Sequence, residues 1–163
     1  MSNDLEFHAK NNQFQIVDVK KDGNCFFHAV SLQWGRLRGS VLREYLSFFF
    51  MYTEDQKIYR QQYEDFFNED FDIYIEKLKK GEWPNEFTIR ATADMLDINI
   101  NILNDSGIWT VIKPDEGRRE GSSEVNIGHY AEVHYVSLDK IDDITFTTTS
   151  QTLSQWANKT KNQ

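Results

Sequence analysis

The chain has 163 residues, is 39% hydrophobic and 14% aromatic, and carries a formal net charge of -8. That length suits one domain with its own core, and the twelve Phe, seven Tyr and four Trp can fill it without disulfides. The acidic balance speaks against nucleic acid as the main partner, because phosphate binding draws on clustered Lys and Arg.

Residues 1–13 read as a flexible polar lead, with no signal-peptide apolar region. Phe14 to Val19 alternates as a strand does and feeds a turn at Asp22. From Cys25 to about Trp34, Phe26, Ala29, Val30 and Gln33 fall at helical spacing. Leu37, Val41, Tyr45, Phe48 and Tyr52 predict a helix over 38–52; its apolar stretch from Leu46 to Tyr52 is too short to span a membrane. Tyr59, Tyr63, Phe66 and Phe67 mark a further helical face. Phe71, Tyr74, Ile75 and Leu78 mark another, ending at Gly81.

Trp83-Pro84-Asn85 is a short loop, and Asn85 is placed to cap a helix carrying Ile89, Ala93 and Leu96 on one side. Ile98 to Leu103 is a period-two strand, Asn104-Asp105-Ser106-Gly107 a hairpin turn, and Ile108 to Ile112 the return strand. A charged loop runs from Pro114 to Ser123. Val125 to Tyr130 and His134 to Leu138 form a last strand pair across the turn Ala131-Glu132-Val133. Residues 147–163 read as a polar tail with Trp156 its one large apolar anchor. The layout predicts an α+β fold, a small and mostly antiparallel sheet flanked by helices, in a single domain over residues 14–146.

The chemistry concentrates around the one cysteine. The segment Lys21-Asp22-Gly23-Asn24-Cys25 places it at a turn that runs straight into a helix. Gly23 and Asn24 supply permissive backbone angles. At a helix start the dipole favours the thiolate, the attacking form. A lone cysteine is most often a small buried hydrophobe, so the assignment needs a base. Of the four histidines, His8 lies in the polar lead, and His28 fits best as packing under its own helix. His134, at the mouth of a strand, is held firmly enough to serve. One cysteine makes neither an internal disulfide nor a metal cluster, so no metal or cofactor is expected, and a reducing compartment is the natural setting.

Asp22-Gly23-Asn24-Cys25-Phe26-Phe27-His28-Ala29 resembles the nucleophile motif of the OTU (ovarian tumour) family of cysteine deubiquitinases. Leu42-Arg43 with Tyr45 and Leu46 resembles the family's second helix. Trp83-Pro84-Asn85-Glu86-Phe87-Thr88-Ile89 resembles its tryptophan loop and following helix. Ile98-Asn99-Ile100 resembles its central strand and His134-Tyr135-Val136-Ser137-Leu138 its histidine strand. The match spans about residues 14–140 with all motifs in order. The resemblance implies a papain-like OTU fold, with Cys25 as nucleophile and His134 as general base and acid. It further implies an oxyanion site on the backbone of the Asp22-to-Cys25 turn, including Gly23 and Asn24, and a substrate cleft bordered by Trp83.

Many family members carry Asp or Asn two residues after the histidine, where this chain has Val136. Asp22 is the first choice for the orienting residue, against an equal reading as turn-former; Asp18 and Asn126 are alternatives. The function so implied is hydrolysis of the bond between the C-terminal Gly of ubiquitin, or a ubiquitin-like modifier, and a lysine, through a thioester. Ubiquitin or polyubiquitin chains would be the partner, with no nucleic acid and no membrane. The expected setting is a monomer in the cytoplasm, or a host cytosol if the source is a virus or bacterium. The alternatives are a catalytically silent ubiquitin-binding module of the same fold and a protease of other substrates.

Overall fold

The computed structural model describes residues 2–35, 37–114, 123–130 and 134–141. The predicted tail over 147–163 and the turn Ala131-Glu132-Val133 lie outside the described residues, as does most of the loop after Pro114. Eleven elements follow in order: α1 (Ser2–Asn11), β1 (Phe14–Val17), α2 (Cys25–Trp34), α3 (Gly39–Tyr52), α4 (Gln56–Phe67), α5 (Phe71–Lys79), α6 (Glu86–Leu96), β2 (Ile98–Asn104), β3 (Trp109–Ile112), β4 (Ser123–His129) and β5 (Tyr135–Lys140). The strands form one sheet in the order β1-β5-β4-β2-β3. Every pairing is antiparallel except the central β2–β4 pair. This is the expected α+β architecture.

Side-chain alternation on β5 explains how the sheet carries two covers. Tyr135 and Ser137 face α2: the Tyr135 ring meets Phe26 edge-on with centroids 5.4 Å apart, and Gln33 reaches Ser137. Val136 and Leu138 face the other way and pack with Leu5, Ala9 and Leu103. Leu5 and Ala9 belong to α1, which corrects the expectation of a flexible lead over residues 1–13. Their i, i+4 spacing builds one short apolar stripe, and burying it on the outer sheet face is what holds this helix. Gly128 in β4 keeps that face flat; a Cβ there would lie 3.0 Å from both Leu5 and Val136.

The remaining helices pack around aromatic rings. Phe50 of α3 sits 5.3 Å from the Phe71 ring, 5.5 Å from Tyr59, 5.6 Å from Phe87 and 5.9 Å from Tyr74, mostly edge-to-face. At the start of α6, Asn85 and Thr88 form a reciprocal capping box, as the sequence predicts for Asn85. The Thr88 hydroxyl also meets the Tyr74 hydroxyl at 2.8 Å, so the cap is tied to α5. Helix α3 can lie close against α2 because Gly39 has no side chain: a Cβ would come within 2.6 Å of the His28 backbone nitrogen. Among the described residues no helix is long and apolar enough to cross a membrane.

The docking of α1 has a direct test. Leu5→Ala should destabilise the protein by about 2 to 4 kcal/mol in urea unfolding, the range for removing a fully buried leucine. A change near zero would mean that α1 does not stay on the sheet in solution.

Candidate active site

Cys25 is the first residue of α2 and is fully buried. Its Sγ accepts a hydrogen bond from the Tyr135 backbone N–H at 3.4 Å. Tyr135 follows His134, so the thiol lies against the amide next to the histidine at the mouth of β5. Burial pushes the Cys25 thiol above its ordinary value. The amides of Tyr135, Phe26 and Cys25 itself oppose this, and the nearby Asp22 carboxylate reinforces it. The expected preference for thiolate at the helix start is therefore outweighed by desolvation.

His134 is also buried, and its Nε2 lies 2.8 Å from Oδ1 of Asp18. The sheet register explains how. Val17 of β1 pairs with Ser137 of β5, so one more residue along β1 brings Asp18 beside Val136. The carboxylate thus arrives from the neighbouring strand at the place where Val136 offers no acceptor. The His134 hydrogen bond, helped by the Val19 N–H, holds the Asp18 carboxyl below its usual value despite some desolvation. The Asp18 side chain is 77% exposed, so water competes for it. An ionised Asp18 fixes the proton on Nε2 and leaves the Nδ1 lone pair open; Nδ1 is buried without a hydrogen-bond partner among the described residues. The Tyr130 ring lies nearly parallel to the imidazole with centroids 6.1 Å apart, and the Tyr130 N–H donates to the His134 carbonyl at 2.9 Å.

Asp22, the first choice for the orienting residue, is engaged elsewhere. Its Oδ1 accepts from the Asn24 N–H at 2.8 Å, its carbonyl accepts from the Cys25 N–H at 3.1 Å, and its carboxylate lies 3.4 Å from His28 Nε2. Burial alone would raise its carboxyl, but the Asn24 and His28 hydrogen bonds outweigh it and the net shift is downward. It is a turn-former, the other of its two sequence readings. Asn126 is likewise committed: its backbone exchanges hydrogen bonds with the Gln33 amide, and its Oδ1 accepts from Asn101 at 3.0 Å. Asp18, the first of the two alternatives, is the carboxylate that meets the imidazole.

Gly23 does not occupy left-handed backbone, and Asn24 has φ -102, so permissive angles are not what the turn needs there. Gly23 is required by proximity: a Cβ would come within 2.6 Å of the Gly81 carbonyl oxygen. The turn's amides are also less free than expected, since those of Asn24 and Cys25 are held by Asp22. A cavity of about 570 Å³ opens beside the turn, lined by Asn24, Arg43, Phe48, Met51, Lys80 and Gly81; neither Cys25 nor His134 lines it. Trp83, expected at the cleft, lines a separate cavity of about 280 Å³ with Tyr63, Glu69 and Lys77. Trp83 lies in the loop between α5 and α6, and it is Gly81 of that loop that reaches the turn in its place. No cluster of three or more metal-ligating side chains occurs among the described residues.

Two contributors escaped the sequence reading. Gln33 was visible as a helical-face position, with nothing to mark its amide as bridging α2 to β4 and β5. Tyr130 lies at a strand end with no local signal for a ring against His134.

The geometry agrees with what the chain resembles. The family model for OTU-like cysteine protease matches residues 20–139. "OVARIAN TUMOR DOMAIN-containing deubiquitinating enzyme 10" of Arabidopsis thaliana is 27% identical over 128 residues, covering 77% of this chain and 34% of that protein. The chain therefore spans about a third of that relative's length. Among solved structures, the OTUD1 OTU domain superposes with a TM-score of 0.68 at 18% identity, covering 85% of this chain and 94% of that one. An ovarian tumour (OTU) domain solved in complex with ubiquitin superposes with a TM-score of 0.59 at 19% identity, covering 77% and 69%. Since the family match takes in Cys25, Arg43, Trp83 and His134 and most of the sequence between its ends, the chain belongs to the OTU-like cysteine protease family.

Proposed function

We propose that this chain is a deubiquitinase, a cysteine isopeptidase that releases ubiquitin or a ubiquitin-like modifier from lysine. The observation that carries the reading is the set at one strand mouth: Cys25 Sγ on the Tyr135 amide, and His134 beside it with Nε2 on Asp18. The relative named a deubiquitinating enzyme and the neighbour solved with ubiquitin point to the substrate. Action as a monomer in a cytosol belongs to the same reading, because a reactive thiol needs reducing surroundings.

In the proposed reaction His134 Nδ1 takes the Cys25 proton as Sγ attacks the carbonyl carbon of the C-terminal Gly. The imidazolium is stabilised by Asp18, and the developing oxyanion lies against the turn before Cys25, where it competes with Asp22 for the Asn24 and Cys25 amides. Collapse breaks the C–N bond, His134 returns its proton to the lysine amine, and a thioester to Cys25 remains. His134 then takes a proton from water, the resulting hydroxide adds to the thioester, and the C–S bond breaks as the proton returns to sulfur; the modifier leaves with a free carboxyl group, which loses its proton to solvent. The silent-module alternative rested on Val136; a carboxylate beside His134 favours the active reading.

Ubiquitin bearing a C-terminal electrophile should label the wild type at Cys25 and leave Cys25→Ala unlabelled; labelling that survives the substitution would defeat the proposal. Asp18→Ala should lower kcat/KM on ubiquitin substrates on the order of 10-fold, near the small end for base positioning because water reaches the carboxylate. An unchanged value would remove Asp18 from the mechanism.

A raised thiol pKa means that less thiolate is present at any given pH. Alkylation of Cys25 by iodoacetamide should therefore keep rising beyond roughly pH 8.5, the value of a free cysteine. A rate that is flat above about pH 7 would indicate a preformed ion pair instead.

A further inference from the structure

Arg43 of α3 is a buried cation whose guanidinium is used on all sides. Its Nε donates to Asn24 Oδ1 at 2.5 Å and one Nη donates to the Gly23 carbonyl. The other Nη donates to the carbonyls of Leu78 at 3.0 Å and Glu82 at 2.8 Å. The group also lies 4.7 Å over the Phe27 ring, the second aromatic after the nucleophile. One side chain thus joins the turn before Cys25 to the segment after α5. Backbone contact makes the same connection, since Gly81 sits where a Gly23 side chain would be.

The Gly23–Asn24 peptide is gripped at both ends. Its carbonyl points to Arg43, and its N–H, on the opposite side of the planar unit, points to Asp22 Oδ1. A peptide next to glycine turns over at low cost, because glycine accepts both signs of φ. Turning over would carry the carbonyl oxygen to the N–H side and face it toward the Asp22 carboxylate. It would also leave the guanidinium fork without an acceptor, a heavy penalty for a buried charge. We propose that Arg43 is a positioning residue that locks the Gly23–Asn24 peptide, and with it the turn that receives the oxyanion, in one orientation.

This rests on the reading of Cys25 and its turn as the reacting centre. Lysine keeps the charge but not the planar fork, so it cannot reach Asn24 Oδ1 and three carbonyls together. In Arg43→Lys, hydrolysis of ubiquitin carrying a C-terminal fluorogenic amide should show kcat reduced about 10- to 100-fold, at or below the loss of one oxyanion donor, with little change in KM. Alkylation of Cys25 by iodoacetamide forms no oxyanion and should stay near the wild-type rate. A wild-type kcat in this variant, or an equal loss of alkylation and turnover, would overturn the assignment. If Arg43→Lys melts below the assay temperature, Asn24→Ala removes the fork's side-chain partner on the turn and should show the same split; an unchanged kcat there would also overturn it. A wild type with no hydrolysis would instead fail the functional reading, so the two failures are distinguishable.

Discussion

Everything at the site depends on α2 being held against β5. Its first residue receives the Tyr135 amide on sulfur. Near its last turn, the Gln33 amide donates to the Asn126 carbonyl, to Ser137 Oγ at 2.6 Å and to the Leu138 carbonyl at 3.2 Å, and accepts from the Asn126 N–H at 2.7 Å. The β4–β5 pairing runs over Ile127–Ser137, Gly128–Val136 and His129–Tyr135, and the Gln33 side chain extends it by acting as a further rung. A buried amide that loses such partners costs roughly 1 to 3 kcal/mol per unsatisfied group. The helix that begins at Cys25 and the strand that follows His134 are thereby tied together at both ends.

Around that helix and strand the site is assembled from parts far apart in sequence. β1 brings a carboxylate to the imidazole, β4 brings Tyr130, and α3 brings the Arg43 fork to the turn. The sheet sets positions along the strands and the helices press the turn from behind. Desolvation follows from the same packing, and it pushes the Cys25 thiol above its ordinary value.

Much of this was legible in the sequence because the signals are local. Helical spacing from Leu37 to Tyr52, the Asn85 cap and the alternation from Ile98 to Leu103 each specify an element without help from distant residues. The same holds for Cys25 at a helix start and His134 at a strand mouth. What was not legible depends on pairing. The choice among Asp18, Asp22 and Asn126 turns on the β1–β5 register, which no local pattern encodes. Residues 1–13 look polar on average, and the two small contacts that dock α1 count only against a sheet face that the sequence does not display. Gly23 was recognised as necessary, for a reason of angle where the structure gives one of contact with Gly81.

Moving the carboxylate across to β1 has a consequence for how this scaffold can vary. An acid at position 136 would occupy the outer sheet face and keep it wet. Here that face is free to be greasy, so Val136 joins Leu5 and Leu138 under α1 while Asp18 stands at the rim in water. Lid and acid answer to separate strands, and drift in one need not disturb the other. Reintroducing a carboxylate at position 136 would set a charge under the roof formed by α1, so the exchange is easy in one direction and obstructed in the other.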